Sequence, residues 1–142
     1  MTAATTSSSP TPVFYSPDYV SAEDAFETLR KSGAIAGSLT ERPIAGVTVE
    51  APSPASLTQL QLAHTRQYVH DVCNDGPLAR TNGLGWSPEV STSVRASTGG
   101  VLAAVDVVLD GSPGARAGSL SSGLHHARAG KGSGFCTING LA

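Results

Sequence analysis

Two adjacent glycines, Gly99 and Gly100, stand in the middle of the longest helical pattern in the sequence, "EVSTSVRASTGGVLAAVDVVLDG". Each glycine costs a helix interior about 1 kcal/mol relative to alanine. A helix tolerates that loss where another part of the chain approaches too closely for a side chain. The same segment carries an apolar stripe at helical spacing: Val94, Val101, Leu102, Val105, Val108 and Leu109. Gly111 follows where a C-terminal glycine cap belongs. The segment therefore reads as a long helix laid tightly on a partner layer.

The rest of the chain supplies that layer. Val13, Phe14 and Tyr15 suit a short strand, stopped by a turn at Ser16-Pro17-Asp18. A helix is predicted over 21–39, with Ser21 and Asp24 at its start and Ala25, Phe26 and Leu29 as its stripe; Gly33 and Gly37 weaken it. Val47 and Val49 alternate around Thr48 in a second strand ended by Pro52. One helix is predicted from a Ser53 cap and Pro54 through to Cys73, with Leu57, Leu60, His64, Tyr68 and Val72 near one face. A loop rich in Gly, Asn and Pro leads to the long helix, and "ARAGSLSS" reads as a third, small-residue strand. Strands alternating with helices predict an α/β fold with a parallel sheet flanked by helices. Residues 1–12, rich in Ser, Thr and Pro, read as a flexible tail.

Composition narrows the function classes. The 142 residues make one ordinary domain, with 39% apolar and 14% charged residues. A net charge of −2 without a basic cluster argues against direct nucleic-acid binding. No apolar run approaches the roughly 18 residues of a membrane span. The N-terminus lacks the features of a secretory signal, so a cytoplasmic setting with Cys73 and Cys136 reduced is expected.

Chemistry concentrates in "GLHHARAGKGSGFCTING", residues 123–140. His125 and His126 follow the last expected strand, and sites in open parallel sheets collect beyond such ends. On a strand the two rings would point to opposite faces; on a loop both can enter one cleft. Two charged imidazoles repel, so one proton shared between the pair suits acid–base work. Adjacent histidines chelate one ion poorly, and no third ligand stands at a sensible spacing. The bland alternative is a surface pair. "AGKGSG" fails the phosphate-loop pattern, because Gly132 follows Gly130-Lys131. Cys136 fits small-residue packing, or a thiol hydrolase with His126 as its base.

These residues resemble the histidine loop of zinc-dependent histone deacetylases, acetoin-utilisation proteins and acetylpolyamine amidohydrolases. Gly123, His125, His126, Ala127, Gly134, Phe135, Cys136 and Asn139 match that loop in order and spacing. "VFYSPDYVS", "LAHTRQYVHDV", "NGLGWSPEV" and "GGVLAAVDVVLDG" are similar to other family segments, so the resemblance covers 13–142. It implies an arginase/deacetylase-like fold and hydrolysis of acetyl-lysine or a small acetylated amine. It implies that His126 is the general base and then acid, with His125 its electrostatic helper. Gly134, Phe135 and Cys136 would line the substrate tunnel and acetyl pocket, and Trp86 the rim. Ser87 stands where many members carry a rim aspartate, which puts protein substrates in doubt. Zinc is implied by the family. Its ligands, an Asp-x-His pair and a later aspartate, lie downstream of the asparagine and are absent from this chain. The expectation is therefore the N-terminal portion of a deacetylase-like domain, incomplete and inactive alone, with a second chain as one way to complete it. A non-catalytic remnant that binds a partner is the alternative.

Overall fold

A computed structural model describes residues 9–20, 27–111, 114–122 and 124–142, with the backbone alone for 27–29. Ser21, Asp24, Ala25, Phe26 and Gly123 lie outside the described residues, as does the side chain of Leu29.

Three short strands form a parallel sheet in the order β2-β1-β3: β1 Thr11–Phe14, β2 Val47–Glu50 and β3 Gly118–Ser119. β1 is central. Thr11 pairs with Val47, and Val13 with Gly118. The strand begins at Thr11, two residues before the expected Val13, because the Thr11 N–H donates to the Gly46 carbonyl at 2.7 Å. Pro12 is tolerated in a central strand because its nitrogen faces the β3 side one residue before that pairing starts. A 3₁₀ turn, Pro17–Val20, follows, then helix α1, Glu27–Glu41. Gly33 and Gly37 do not stop α1. A methyl group at Gly33 would lie 3.2 Å from the Tyr15 hydroxyl.

The single helix expected from Ser53 to Cys73 is two: α2, Leu57–Ala63, and α3, Arg66–Cys73. Ser53 is not the cap. Ser56 is, in a capping box in which its hydroxyl accepts the Gln59 N–H at 3.2 Å and its own N–H donates to Gln59 Oε1 at 2.8 Å. At His64 the backbone becomes extended (φ −126°, ψ 151°), and Thr65 caps α3. The two helices present Leu60, Tyr68, Val69 and Val72 to a core that also holds Ala55 and Ile138. Burying each large apolar side chain contributes roughly 1.5–3 kcal/mol.

Helix α4 spans Pro88–Asp110. A methyl group at Gly99 would overlap the Ser53 carbonyl, and one at Gly100 the Tyr19 hydroxyl. The close partners anticipated for the glycine pair are thus the 53–55 segment and the 3₁₀ turn. The 53–55 segment is tied on by the Ala55 N–H to the Arg95 carbonyl, 2.8 Å, and by Arg95 Nε to the Ala55 carbonyl, 2.9 Å. The buried face of α4 is made of small residues, Ser93, Ala96, Ser97, Gly99 and Gly100. The aliphatic stripe divides: Val94 and Leu102 are half-buried against the core, while Val105, Val108 and Leu109 are exposed. Gly111 is extended (φ −82°, ψ 170°) and not a left-handed cap; it is glycine because a side chain there would press on the Val107 carbonyl and Ala115. By length and composition α4 could cross a membrane, yet its small-residue face is seated on protein.

Candidate functional site

Residues 124–140 leave β3 as an irregular loop with two small hairpin-like closures. Arg128 and Lys131 exchange backbone hydrogen bonds at 2.8 and 3.3 Å, and Ser133 and Cys136 do so at 2.8 and 3.1 Å. The second closure turns through Gly134 (φ +52°) and Phe135 (φ +63°). Two successive positive φ values describe a type I′ turn, whose twist glycine accepts freely and a bulky residue does not.

His125 and His126 are both exposed and lie on a bend, not a strand. Their ring centroids are 3.9 Å apart at a 44° tilt, so the two imidazoles share one side of the loop. At about 4 Å, two unit charges in water repel by about 1 kcal/mol, and by more where water is excluded. The Gly134 turn packs on His126: a methyl group at Gly134 would come within 2.9 Å of the His126 ring. Gly134, Phe135 and His126 thus form one patch. Cys136 lies inward, 2% exposed. A thiol closed off from solvent suits the packing role and disfavours the thiol-hydrolase reading. Trp86 is half-buried, and its indole N–H donates to the Val72 carbonyl at 2.6 Å, which ties the rim loop to the end of α3.

The loop is held from behind by Tyr68 and His64, which the sequence placed only on an apolar face, and by Thr81 and Asn82, which it did not single out. Tyr68 Oη donates to the Thr137 carbonyl at 2.7 Å, and burial pushes its phenol up to about 12, so it remains a neutral donor. Asn82 Nδ2 donates to Thr137 Oγ1 at 2.8 Å, and the Gly132 N–H donates to Thr81 Oγ1 at 2.8 Å. The Asn139 N–H donates to His64 Nε2 at 2.9 Å, and the Thr65 N–H donates to the Ala129 carbonyl at 2.8 Å. Ile138 sits 1% exposed in the core between these bonds. His64, placed by the sequence on the apolar face of the expected helix, is 4% exposed. The helical spacing of His64 with Leu60 and Tyr68 was the available signal; its partner, 75 residues on, was not visible locally.

Beside the histidines lies an open groove of about 520 Å³, lined by Val101, Val105, Val108, Leu109, Leu124 and Leu141, with His125 at its edge. It runs along the outer side of β3, whose edge carries no further strand among the described residues. Among the described residues no three His, Cys, Asp or Glu side chains are grouped to hold a metal ion. The donors at the site are two touching imidazoles with no grouped carboxylate, which does not fit the zinc set the resemblance implied.

The histone deacetylase domain profile matches residues 21–142. An uncharacterized protein of Picosynechococcus sp. (strain ATCC 27264 / PCC 7002 / PR-6) is 33% identical over 138 residues, covering 92% of this chain and 45% of that protein. The crystal structure of the HDA15 HD domain superposes with a TM-score of 0.69 at 18% identity, covering 93% of this chain and 40% of that one. The chain thus spans less than half the length of either, and its three-stranded sheet is an incomplete α/β fold by comparison. The chain belongs to the histone deacetylase family.

Proposed function

We propose that this chain supplies the acid–base loop of a deacetylase that hydrolyses acetyl-lysine or a small acetylated amine. The observation that carries the reading is the packed patch of His125, His126 and the Gly134-Phe135 turn. In amide hydrolysis, His126 takes a proton from the attacking water as the new carbon–oxygen bond forms. It returns that proton to the nitrogen as the carbon–nitrogen bond breaks, giving acetate and the free amine. His125, its ring centroid 3.9 Å from that of His126, lies beside the base as its polar neighbour. Gly134 and Phe135 flank the acyl chain, and Trp86 the entrance. Ser87 in place of an acidic rim residue makes a small acetylated amine as fitting a substrate as a protein. Zinc, which the family implies, would polarise the acetyl carbonyl; the donors among the described residues do not form a site for it. Further polypeptide, in the same chain or a second one, completes the site, and the groove beside His125 offers it an apolar seat.

The test is a chimera in which this chain replaces the matching segment of the Picosynechococcus protein, with that parent protein as the control. Acetyl-lysine peptide and acetylated polyamine are the substrates. Chelator-sensitive deacetylation is expected, reduced about 10²–10⁴-fold by His126→Ala. A folded chimera whose activity ignores that substitution would refute the assignment.

A further inference from the structure

The histidine loop is fastened to the helical layer at several points, and one fastener is itself titratable. His64 occupies the break between α2 and α3, where the extended backbone turns its ring inward. Its Nε2 accepts the Asn139 N–H at 2.9 Å. A ring nitrogen that accepts is unprotonated, so the proton of the neutral ring lies on Nδ1. Nδ1 is buried without a well-formed hydrogen bond, facing the carbonyls of Arg128 and Ala129. The neighbouring Thr65 N–H holds the Ala129 carbonyl, and Asn139 Nδ2 donates to the Ala127 carbonyl at 3.1 Å. On the other side of the pair, the Leu124 carbonyl accepts the Gly140 N–H at 3.1 Å. The backbone on both sides of His125 and His126 is therefore fixed to the stretch that His64 grips.

Protonation would reverse this hold. An imidazolium has two donors and no acceptor, so Nε2–H would meet the Asn139 N–H head-on inside the protein. Burial lowers the proton affinity of His64 below the ordinary histidine value, and the Arg128 and Ala129 carbonyls oppose that only in part. From α3 the titratable group facing it is Tyr68, ring centroids 5.3 Å apart, which stays neutral. The loop faces it with backbone carbonyls, and no charged side chain contributes to its shift.

We infer that His64 is a pH-sensitive positioning residue for the histidine loop: unprotonated it fixes the backbone carrying His125 and His126, and on taking a proton it releases that backbone. The inference rests on the proposed function only in treating the pair as catalytic; the hold belongs to the fold. The sign follows from the lowered affinity. The hold is complete above about pH 6.5, the ordinary histidine value. It weakens as pH falls below that, because the released state takes the proton first.

Amide hydrogen exchange on the 142-residue chain tests this without metal or substrate, so its outcome is independent of any deacetylase assay. Between pH 7.5 and 5.0, corrected for intrinsic exchange, protection of the Asn139 amide is expected to fall about tenfold or more. His64→Gln offers an oxygen where Nε2 lies and does not titrate, so its protection is expected to be equal at both pH values. His64→Phe is expected to leave Asn139 poorly protected at both. The α4 amides report global folding, and should His64→Phe unfold the chain, the His64→Gln comparison decides. Equal loss of protection in the wild type and His64→Gln would overturn the inference. So would full Asn139 protection in a folded His64→Phe.

Discussion

Phe135 holds a positive φ that a bulky residue adopts only when its surroundings enforce it, at a cost of order 1–3 kcal/mol. Its ring is 59% exposed, so burial of the side chain offsets little of that strain. Such a residue suits a binding surface better than a folding role. Phe135→Gly is expected to leave the urea unfolding free energy of this chain within about 1 kcal/mol of wild type, while raising KM in the active chimera. A larger loss of stability would make the ring a structural anchor. Tyr68 is the opposite case. Its hydroxyl serves the buried Thr137 carbonyl, and Tyr68→Phe leaves that acceptor orphaned. The expected loss is about 1–3 kcal/mol by urea denaturation, accompanied by faster exchange across 132–140. Residue identity in the histidine loop was legible, because the motif is contiguous. The residues that hold it, His64, Thr81 and Asn82, come from two other segments, and local spacing does not encode such pairings.

At the scale of elements, α4 sets two tendencies against each other. Helix propensity alone predicts that Gly99→Ala stabilises the chain by about 1 kcal/mol. The Ser53 carbonyl and the Ala55 nitrogen leave no room for the added methyl, and backbone yields less readily than a side chain. Overpacking therefore wins, and Gly99→Ala is expected to lower stability by about 1–3 kcal/mol in thermal or urea unfolding. The glycine pair was a correct sequence signal of close packing, without saying what packs there. The late start of α2 and its break from α3 were missed, although both had signals in the open: Ser56 and Gln59 are spaced as a capping box for the first helix, and Thr65 can cap a second. A continuous apolar periodicity outweighed those caps, because Leu60, Tyr68 and Val72 keep one face across the interruption.

On the scale of the molecule, the unusual feature is where the aliphatic residues of α4 point. Val105, Val108 and Leu109 face the groove beyond β3, together with Leu124 and Leu141. The helix is seated on the 53–55 segment and the 3₁₀ turn through glycine, serine and alanine, with Val94 and Leu102 half-buried against the core. A surface of this kind invites association. Val108→Lys with Leu109→Asp is expected to reduce self-association of the isolated chain in light scattering. The urea stability of the chain should shift by no more than about 0.5 kcal/mol, as for surface changes generally. In the chimera the same pair is expected to prevent folding or zinc uptake. A chimera indifferent to both changes would show that the groove is not covered by the added polypeptide.

By itself the sequence determined the alternation of strands and helices, the parallel sheet, and the histidine motif that marks the family. Each is written in neighbouring residues, through side-chain periodicity, glycine placement and a contiguous motif. Only the tertiary structure decided which face of α4 is buried and that His64 grips Asn139. It also decided that His126 rests on the Gly134 turn. Those outcomes depend on close approach between segments tens of residues apart, and steric fit between distant segments leaves no period in the sequence.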